Sequence, residues 1–310
     1  MSDLYGNERT GVLLMAHGAP EGLQDIPEFL LNVRGGRPLP EAAIQEIVRR
    51  YAAIGGGSPL LSHTRSQGEA LARLLNLPVY IGMRNWKPFI AEALDRIRAD
   101  HIERLIALCL APQNSRTSIG LYRQALEAAQ MKLLPQLRVD FIESWHAHPG
   151  LIAAFEEKLK EARARADSEA GTAVPVIFTA HSVPERTIAD GDPYVREVQE
   201  TAALVAKAAG VDNFRLAFQS QGLTSEPWVG PTVESEIAEL AQAGFHHVLI
   251  APIGFVADHV EILYDIDVAF CRFGEGKGLK VHRTESLNQS PLLIRALADL
   301  VTAKIKAWRA

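Results

Sequence analysis

Cysteine is almost absent from this chain of 310 residues, which contains only Cys109 and Cys271. Two cysteines cannot provide the four thiolates of a typical iron–sulfur cluster or of an all-cysteine zinc site, and they do not form a disulfide framework. Cys109 lies inside the apolar run 105–110, where a free cysteine usually behaves as a small hydrophobic residue. The cysteine count therefore predicts no iron–sulfur cluster. We also expect no permanently bound cofactor of another kind.

Long apolar segments are also missing. The first ten residues are polar and lack the apolar core of a secretion signal, and no later run approaches the roughly 20 residues of a membrane helix. The formal net charge is −5, from 32 basic and 37 acidic residues, without a block of one sign. We expect a cytoplasmic protein with no integral membrane segment and no nucleic-acid partner, in which an anionic ligand would depend on local arginines.

What the chain does contain is a regular alternation of apolar runs and helical patterns. Hydrophobic residues make up 47% of the composition and charged residues 22%, as in folded globular proteins, and the length favours two domains. Eight short runs predict buried strands, four before about residue 145 and four after it. They are 11–16, 79–82, 105–110, 139–142, 174–179, 215–218, 247–250 and 279–282.

Helical spacing fills the segments between these runs, including a crossover helix near 156–171. The alternation predicts an α/β protein with two doubly wound, Rossmann- or flavodoxin-like domains, each around a four-stranded parallel sheet. We place the domains at 1–145 and 146–310, with the last helix, about 290–310, able to pack back on the first domain.

The two halves resemble each other. The segment LMAHGAP around His17 is similar to FTAHSVP around His181, 164 residues later, and LCLAP at 108–112 is similar to LIAP at 249–252. Chance convergence of strand ends is the alternative, but the shared order favours internal duplication. In open parallel sheets ligands collect beyond the carboxyl ends of the strands, so both histidines follow a strand at a place where ligands bind.

The segment 252–265, PIGFVADHVEILYD, carries acidic residues at 258, 261 and 265, a spacing that puts them on one helical face. One interpretation is a capping box with Asp258 as the N-cap and Glu261 three residues later. The other is a metal site with His181, because imidazole and carboxylate without thiolate suit an Fe²⁺ ion that must later be released. A single histidine after a strand is more often structural, so both interpretations stay open.

Two further sets of residues bear on ligand class. Arg34, Arg37, Arg49 and Arg50 precede the glycine run 55–57 and suit carboxylate recognition, although surface arginines often only solvate a helix. That glycine run does not match a phosphate-binding loop, and the second one, GEGKG at 274–278, follows a helical pattern and not a strand. A nucleotide-using α/β enzyme is therefore the least favoured hypothesis.

Five motifs together resemble those of ferrochelatases, in the same order and over nearly the whole chain. They are VLLMAHGAP at 12–20, RYAAIGGGSPL at 50–60, TAHSVP at 179–184, Gln219–Gln221 with Trp228, and GFVADHVEILYD at 254–265. The chain most resembles the short soluble bacterial type that acts on coproporphyrin. The resemblance implies two chelatase-type domains facing a porphyrin cleft, and insertion of Fe²⁺ into a porphyrin with release of two pyrrole protons, in haem biosynthesis.

The resemblance also implies roles for residues near the metal. His181 and Glu261 would bind the incoming iron and accept pyrrole protons, with the division of these tasks left open. Asp265 matches an acidic position thought to lead metal or protons along the helix, and His259 matches a histidine of less certain role. Ala269 stands where many relatives have another carboxylate, so the acidic path would be shorter and a second metal site is not expected.

For the porphyrin, the resemblance implies contacts from a second set of residues, whose ordinary interpretation is surface arginines and helix-packing tyrosines. They are Arg34, Arg50, Tyr51, Ser58 and Tyr122. His17 occupies a position where the coproporphyrin type commonly has tyrosine. We predict that His17 approaches the porphyrin face opposite His181 and can ligate the product iron.

Coproporphyrin III is the favoured substrate, with protoporphyrin IX as the nearest alternative. A cobalt- or sirohydrochlorin-directed chelatase would typically place two histidines in the metal site, and a non-catalytic haem carrier would use His17 or His181 only as a ligand. The expected partners are thus a porphyrin and Fe²⁺, the latter as substrate. No dimerising extension is evident, which is compatible with a monomer.

Overall fold

The computed structural model describes residues 9–222 and 226–308. Within these residues eight strands form two four-stranded sheets in which every neighbouring pair is parallel. The strands are β1 Thr10–Ala16, β2 Val79–Met83, β3 Arg104–Cys109, β4 Arg138–Ile142, β5 Val176–His181, β6 Phe214–Gln219, β7 His247–Pro252 and β8 Lys280–Arg283. The predicted α/β class with two parallel sheets is confirmed.

Helices connect successive strands, as parallel pairing requires. They are α1 Ile26–Val33, α2 Glu41–Ala53, α3 Leu60–Leu75, α4 Ile90–Ala99, α5 Ile119–Leu133, α6 Pro149–Ala170, α7 Glu185–Ala189, α8 Tyr194–Ala209, α9 Val233–Gln242, α10 Val260–Leu263, α11 Cys271–Glu275 and α12 Pro291–Ala307. A short 3-10 helix, Leu23–Asp25, precedes α1, and a π-helix, Asp265–Phe270, lies between α10 and α11.

The contacts within the chain divide it into two units. The second unit consists of residues 112–117 and the described residues between 146 and 287, and the first unit consists of the other described residues. The first sheet, with strand order β2-β1-β3-β4, belongs to the first unit, and the second sheet, with order β6-β5-β7-β8, belongs to the second. The α12 helix packs on α3 within the first unit.

The two sheets have the same strand order. In each of them the chain goes from a first strand to one neighbour and then crosses back to the other side, so the order reverses at β1/β3 and at β5/β7. Such switch points leave a crevice at the carboxyl ends of the strands, where open α/β sheets bind ligands. His17 directly follows β1 and His181 ends β5, so each unit has a histidine at its switch point.

Each sheet is covered on both faces, which explains why the strands read as continuous apolar runs. All seven residues of β1 are buried. In the first unit Leu13 and Met15 pack with α4 and α5, while Ala16 packs with Leu61 of α3 on another cluster. In the second unit α9, α10 and the π-helix cover one face, and α6 packs against β7 and β8.

The strand β5 begins and ends later than the predicted 174–179. Its ladder to β6 continues until His181 pairs with Gln219, so His181 is the last residue of the strand and does not lie beyond it. The apolar pattern could not mark this end, because the last pair of the ladder consists of two polar residues. Strand pairing therefore fixes the backbone of His181.

The two cysteines have structural surroundings. Cys109 is 1% exposed in the core beneath α4 and α5, and burial raises the pKa of its thiol well above the ordinary range. Burial, with the negative charges of Asp267 and Glu275, also raises the pKa of Cys271. Among the described helices, none combines the length and apolar character needed to span a bilayer.

Candidate active site

His181 is held at both its backbone and its ring. Its carbonyl accepts a hydrogen bond from the buried Tyr194 hydroxyl at 3.0 Å, and its Nδ1 donates to the carbonyl of Ser182. A carbonyl can only accept, so the proton of the neutral ring is on Nδ1 and the lone pair is on Nε2. That lone pair is available to bind a metal ion or accept a proton.

Glu261 faces this nitrogen. Its Oε2 is 3.8 Å from Nε2 of His181, and the two side chains are 39% and 30% exposed, with His181 the more exposed. Bonds of about 2.0–2.2 Å from nitrogen and oxygen to a first-row metal ion would span this gap with a bent N–metal–O angle. The separation therefore allows one ion to contact both groups.

His259 approaches the same carboxylate oxygen. Its Nδ1 donates to the Ala257 carbonyl at 2.9 Å, and its Nε2 is 3.7 Å from Oε2 of Glu261. Burial disfavours the charged imidazolium, but hydrogen bonding and attraction from Glu261 outweigh it, so the pKa of His259 is raised above its ordinary value. Two imidazoles thus converge on one carboxylate oxygen at the carboxyl end of the second sheet.

The helix that carries Glu261 begins differently from the capping-box interpretation. His259, not Asp258, is the N-cap of α10, and it makes no side-chain capping bond. Asp258 instead accepts a hydrogen bond from Ser286 at 2.7 Å and lies 3.5 Å from a guanidinium nitrogen of Arg283. The prediction of Asp258 as the N-cap is wrong, because Ser286 and Arg283 draw its carboxylate away from the helix.

Asp265 points to a different partner from Glu261. It begins the π-helix, and its Oδ2 accepts a hydrogen bond from the hydroxyl of Ser220 at 2.6 Å. Ser220 has a φ of +60°, a left-handed conformation that non-glycine residues adopt rarely and often at functional sites. The three carboxylates therefore do not form the single helical face that their spacing predicted, since Asp258 precedes the helix.

Sequence reasoning missed the residues that connect the helix of Glu261 to the sheet. Thr179 donates to Oε1 of Gln219 at 2.8 Å, and Nε2 of Gln219 donates to the backbone carbonyl of Glu261 at 2.8 Å. Gln219 is 1% exposed and ends β6, beside His181 in the ladder. Gln219 belongs to one of the motifs that carry the family resemblance, but only the fold shows that it links the strand of His181 to Glu261. Tyr194, at the start of α8, carried no such signal.

The backbone after β7 approaches β5 so closely that only glycine fits at 254. A Cβ there would lie 2.7 Å from Cβ of Ala180 and 2.8 Å from its Cα, while the Gly254 amide donates to the Thr179 carbonyl. Ala180 directly precedes His181, and Gly254 leads into the segment of Glu261. The close contact therefore fixes the backbone that leads to Glu261 against the strand that ends at His181.

We expect Gly254→Ala to lower the free energy of unfolding by about 1–3 kcal/mol, as overpacking does. It should also lower kcat about tenfold or more, since small misplacements of reacting groups are costly. Gly276→Ala is a matched control, because Gly276 has a helical φ of −63° and its added Cβ would meet no atom closer than 3.4 Å. Equal effects of the two variants in urea unfolding and turnover would contradict the prediction.

In the first unit, His17 lies at the carboxyl end of β1 and is exposed. Its ring meets Phe29 edge to face at 5.9 Å between centroids, and Phe29 meets Trp86 in the same way at 6.3 Å. The backbone amide of Asn85 donates to the carbonyl of His17 at 2.9 Å. His17 is thus presented on an aromatic support at the switch point of this sheet.

Ser58 is anchored to the segment that follows His17. Its amide donates to the Pro20 carbonyl at 2.9 Å, and a Cβ on Gly57 would lie 2.2 Å from the Glu21 carbonyl oxygen. The third glycine of the run is therefore needed for a close backbone contact. The structure brings Ser58 to the same edge of the sheet as His17.

The other predicted porphyrin-contacting residues differ in exposure. Arg34 is the C-cap of α1 and donates to the Arg37 carbonyl at 3.2 Å, while Arg50 donates to Glu46 at 3.2 Å. Tyr51 of α2 and Tyr122 of α5 are 2% and 5% exposed, and Tyr122 packs in the core of the first unit. Porphyrin contact by these four residues stays a prediction.

A sequence model of the ferrochelatase family matches residues 9–305. The chain belongs to the ferrochelatase family. The ferrochelatase of Acidobacterium capsulatum is 47% identical to it, with 98% of this chain and 97% of the relative covered. A coproporphyrin III ferrochelatase from a Geobacillus species is 36% identical, with 96% and 99% covered. As a member of this family, the chain is a ferrochelatase, which inserts iron into a porphyrin with Fe²⁺ as a substrate.

Solved structures agree with the fold. The cobalt complex of the sirohydrochlorin chelatase SirB from Bacillus subtilis subspecies spizizenii matches with a TM-score of 0.60 at 11% identity, covering 96% of each chain. DR2241 from Deinococcus radiodurans, a multi-domain protein with structural similarity to chelatases, matches with a TM-score of 0.56 at 13% identity. In that case the match covers 95% of this chain and 55% of the other. At such identities the likeness shows the chelatase type of fold.

Proposed function

We propose that this ferrochelatase uses His181 and Glu261 to insert Fe²⁺ into coproporphyrin III. The observation that carries the assignment of the two residues is their mutual geometry: the lone pair of His181 Nε2 faces Glu261 Oε2 across 3.8 Å at the switch point of the second sheet. Both side chains are partly exposed, so a substrate can reach them.

The reaction defines what these groups must do. Fe²⁺ exchanges its water ligands for four pyrrole nitrogens, and two pyrrole N–H protons leave, so no electron is transferred and no covalent intermediate with the protein is needed. A neutral imidazole nitrogen can accept a proton, and an ionised carboxylate can replace water on the metal or accept a proton. His181 and Glu261 provide one group of each kind.

The surrounding contacts suit these roles. Ser182 fixes the ring tautomer of His181, and Gln219 fixes the backbone of Glu261, so neither group must be reoriented when the substrate arrives. His259 places a second imidazole on the same carboxylate, and the hydrogen bond and attraction from Glu261 raise the pKa of His259 despite its burial. We assign His259 and Asp265 supporting roles.

Two cysteines in the chain, one of them in the core, leave no four-thiolate set for a typical cluster, so we propose catalysis without a permanently bound cofactor. For the first unit we propose porphyrin contacts from His17, Ser58, Tyr51, Tyr122 and the arginines at 34 and 50. The identities with coproporphyrin III ferrochelatases support this porphyrin as the substrate.

The substrate preference is tested by anaerobic metalation with Fe²⁺, followed by absorbance. We expect kcat/KM for coproporphyrin III to exceed that for protoporphyrin IX by about tenfold or more. Coproporphyrin has two additional carboxylates, and one charge-assisted hydrogen bond contributes about 1.5–3 kcal/mol. A preference for protoporphyrin would overturn the substrate assignment alone, while turnover of sirohydrochlorin only would overturn the porphyrin assignment.

Arginine variants test which residue is responsible for the preference for coproporphyrin III over protoporphyrin IX. Arg34→Met should reduce the ratio of the two kcat/KM values, whereas Arg49→Met should leave it unchanged. Arg49 is a matched control, because its side chain is 73% exposed and is paired with Glu46 on α2. An unchanged ratio in Arg34→Met would place carboxylate recognition elsewhere.

A further inference from the structure

A second cluster of metal-binding side chains lies in the same unit, far from the candidate active site. His247 is the first residue of β7, His282 is the third of the four residues of β8, and Glu169 is the penultimate residue of α6. Each of the three offers a ligand atom, and these atoms lie within 4.8 Å of one another. None of them takes part in the site around His181 and Glu261.

Strand register explains why the two histidines meet. His247 pairs with Lys280, and Leu249 pairs with His282, so His247 and His282 are on the same face of the sheet. The intervening residues Val248 and Val281 face the opposite side, where they pack in the core with α9 and α10. The last turn of α6 brings Glu169 to the face of the histidines.

The ring atoms are close enough to share a ligand. Nδ1 of His247 and Nε2 of His282 are 2.9 Å apart, and the ring planes differ by 13°. In a tetrahedral site with metal–nitrogen bonds of about 2.0–2.1 Å the nitrogens lie about 3.4 Å apart, so small ring rotations would make the lone pairs converge. Without a metal ion, one of the two nitrogens donates a hydrogen bond to the other, so His247 and His282 are each other's partners.

Charges at the cluster act in both directions. Lys280 forms an ion pair with Glu169 and places a positive charge near any bound cation, which opposes binding. The same contact, chiefly its hydrogen bond, lowers the pKa of Glu169 and keeps its carboxylate ionised.

We propose that His247, His282 and Glu169 form a second binding site for a divalent transition-metal ion such as Zn²⁺. Two imidazoles and one carboxylate are a donor set that Zn²⁺ accepts, with a remaining position for water. The site joins α6 to β7 and β8, with His247 at the amino end of β7. The reaction site lies beyond the carboxyl end of β7, about 17 Å away along a six-residue strand.

A bound ion would have a structural effect, because it would link three elements that are distant in sequence. Any ligand that binds only the folded state raises the midpoint of thermal unfolding. Zn²⁺ is therefore expected to raise the Tm of the protein. The same ion should not be needed for porphyrin metalation, since the cluster and the reaction site lie at opposite ends of β7.

Zn²⁺ binding by calorimetry tests the proposal on tag-free protein carrying His181→Ala, which removes a ligand of the reaction site. We expect one Zn²⁺ per chain, and a Kd raised about tenfold or more when His282→Ala or His247→Ala is added. His246→Ala is the matched control, because His246 is an exposed neighbour outside the cluster, and its replacement should leave the Kd unchanged.

Lys280→Gln gives a test in the opposite direction, because removal of the repelling ammonium should lower the Kd. This gain cannot result from misfolding. The proposal is overturned if the His181→Ala parent binds no Zn²⁺, or if His282→Ala and His246→Ala bind it equally. In otherwise native protein, His282→Ala should retain porphyrin metalation. In the His181→Ala parent, His282→Ala should lose the Zn²⁺-dependent rise in Tm. The two results together separate this site from the proposed function.

Discussion

Replacement of His181 by alanine is expected to lower kcat for porphyrin metalation by about 10²-fold or more, the usual contribution of a positioned acid–base group. The variant removes the nitrogen whose lone pair faces Glu261, while the β5–β6 ladder and the Tyr194 hydrogen bond involve only the backbone of residue 181. The variant should therefore fold normally, and the substitution should lower kcat without lowering stability.

The measurement is anaerobic turnover of Fe²⁺ and porphyrin, together with porphyrin binding by fluorescence quenching. The Kd for the metal-free porphyrin should change little, because the proposed carboxylate contacts lie in the first unit. His246→Ala is the control, since it removes an exposed imidazole outside the site. Full activity of His181→Ala would exclude this residue from the reaction, and partial rescue by added imidazole would support its role as a base or ligand.

The regular part of the fold was predictable from the sequence. All eight described strands could be located, because buried parallel strands read as short apolar runs with few alternatives. The one misplaced strand, β5, ends on the polar pair His181 and Gln219, whose pairing depends on the neighbouring strand. The short helix α7 was not predicted, since five residues carry too little periodicity.

The histidine and glutamate of the candidate site were predictable by resemblance, but their surroundings were not. Asp258 looked like an N-cap because the sequence pattern contains no information about Ser286, which draws its carboxylate away. Asp258 precedes α10, and the hydroxyl of Ser220 holds Asp265, so the predicted common acidic face does not form. Local pattern rules fail here because contacts with residues distant in sequence determine the side-chain directions.

The cluster of His247, His282 and Glu169 could not be predicted from local sequence patterns either. Its members are far apart in sequence and belong to three elements, so no spacing rule connects them. Once the strand register is known, the alternation of side chains puts the two histidines on one face. A comparison of the two halves does not reveal the cluster either. Arg104 and Asp140 occupy the same places in β3 and β4 as His247 and His282 do in β7 and β8, but they form an ion pair.

Glu261→Gln should lower kcat by about 10²- to 10⁴-fold. The amide keeps the shape of the side chain but loses the negative charge that faces His181 and His259, so it can neither accept a proton nor bind Fe²⁺ as a carboxylate does. Because Gln219 holds the backbone carbonyl of residue 261, the helix should stay in place. Glu234→Gln, at an exposed position in the first turn of α9, is the matched control and should be fully active.

The double variant His181→Ala/Glu261→Gln decides whether the two groups act together. If they contact the same ion and the same porphyrin nitrogens, removal of one leaves the other without its task, and the double variant should lose scarcely more activity than either single variant. Independent roles would instead multiply the two losses. Steady-state kcat values for the four proteins, measured with Fe²⁺ and then with Zn²⁺, distinguish these outcomes. A multiplicative result would contradict a shared site and assign proton removal and metal delivery to separate steps.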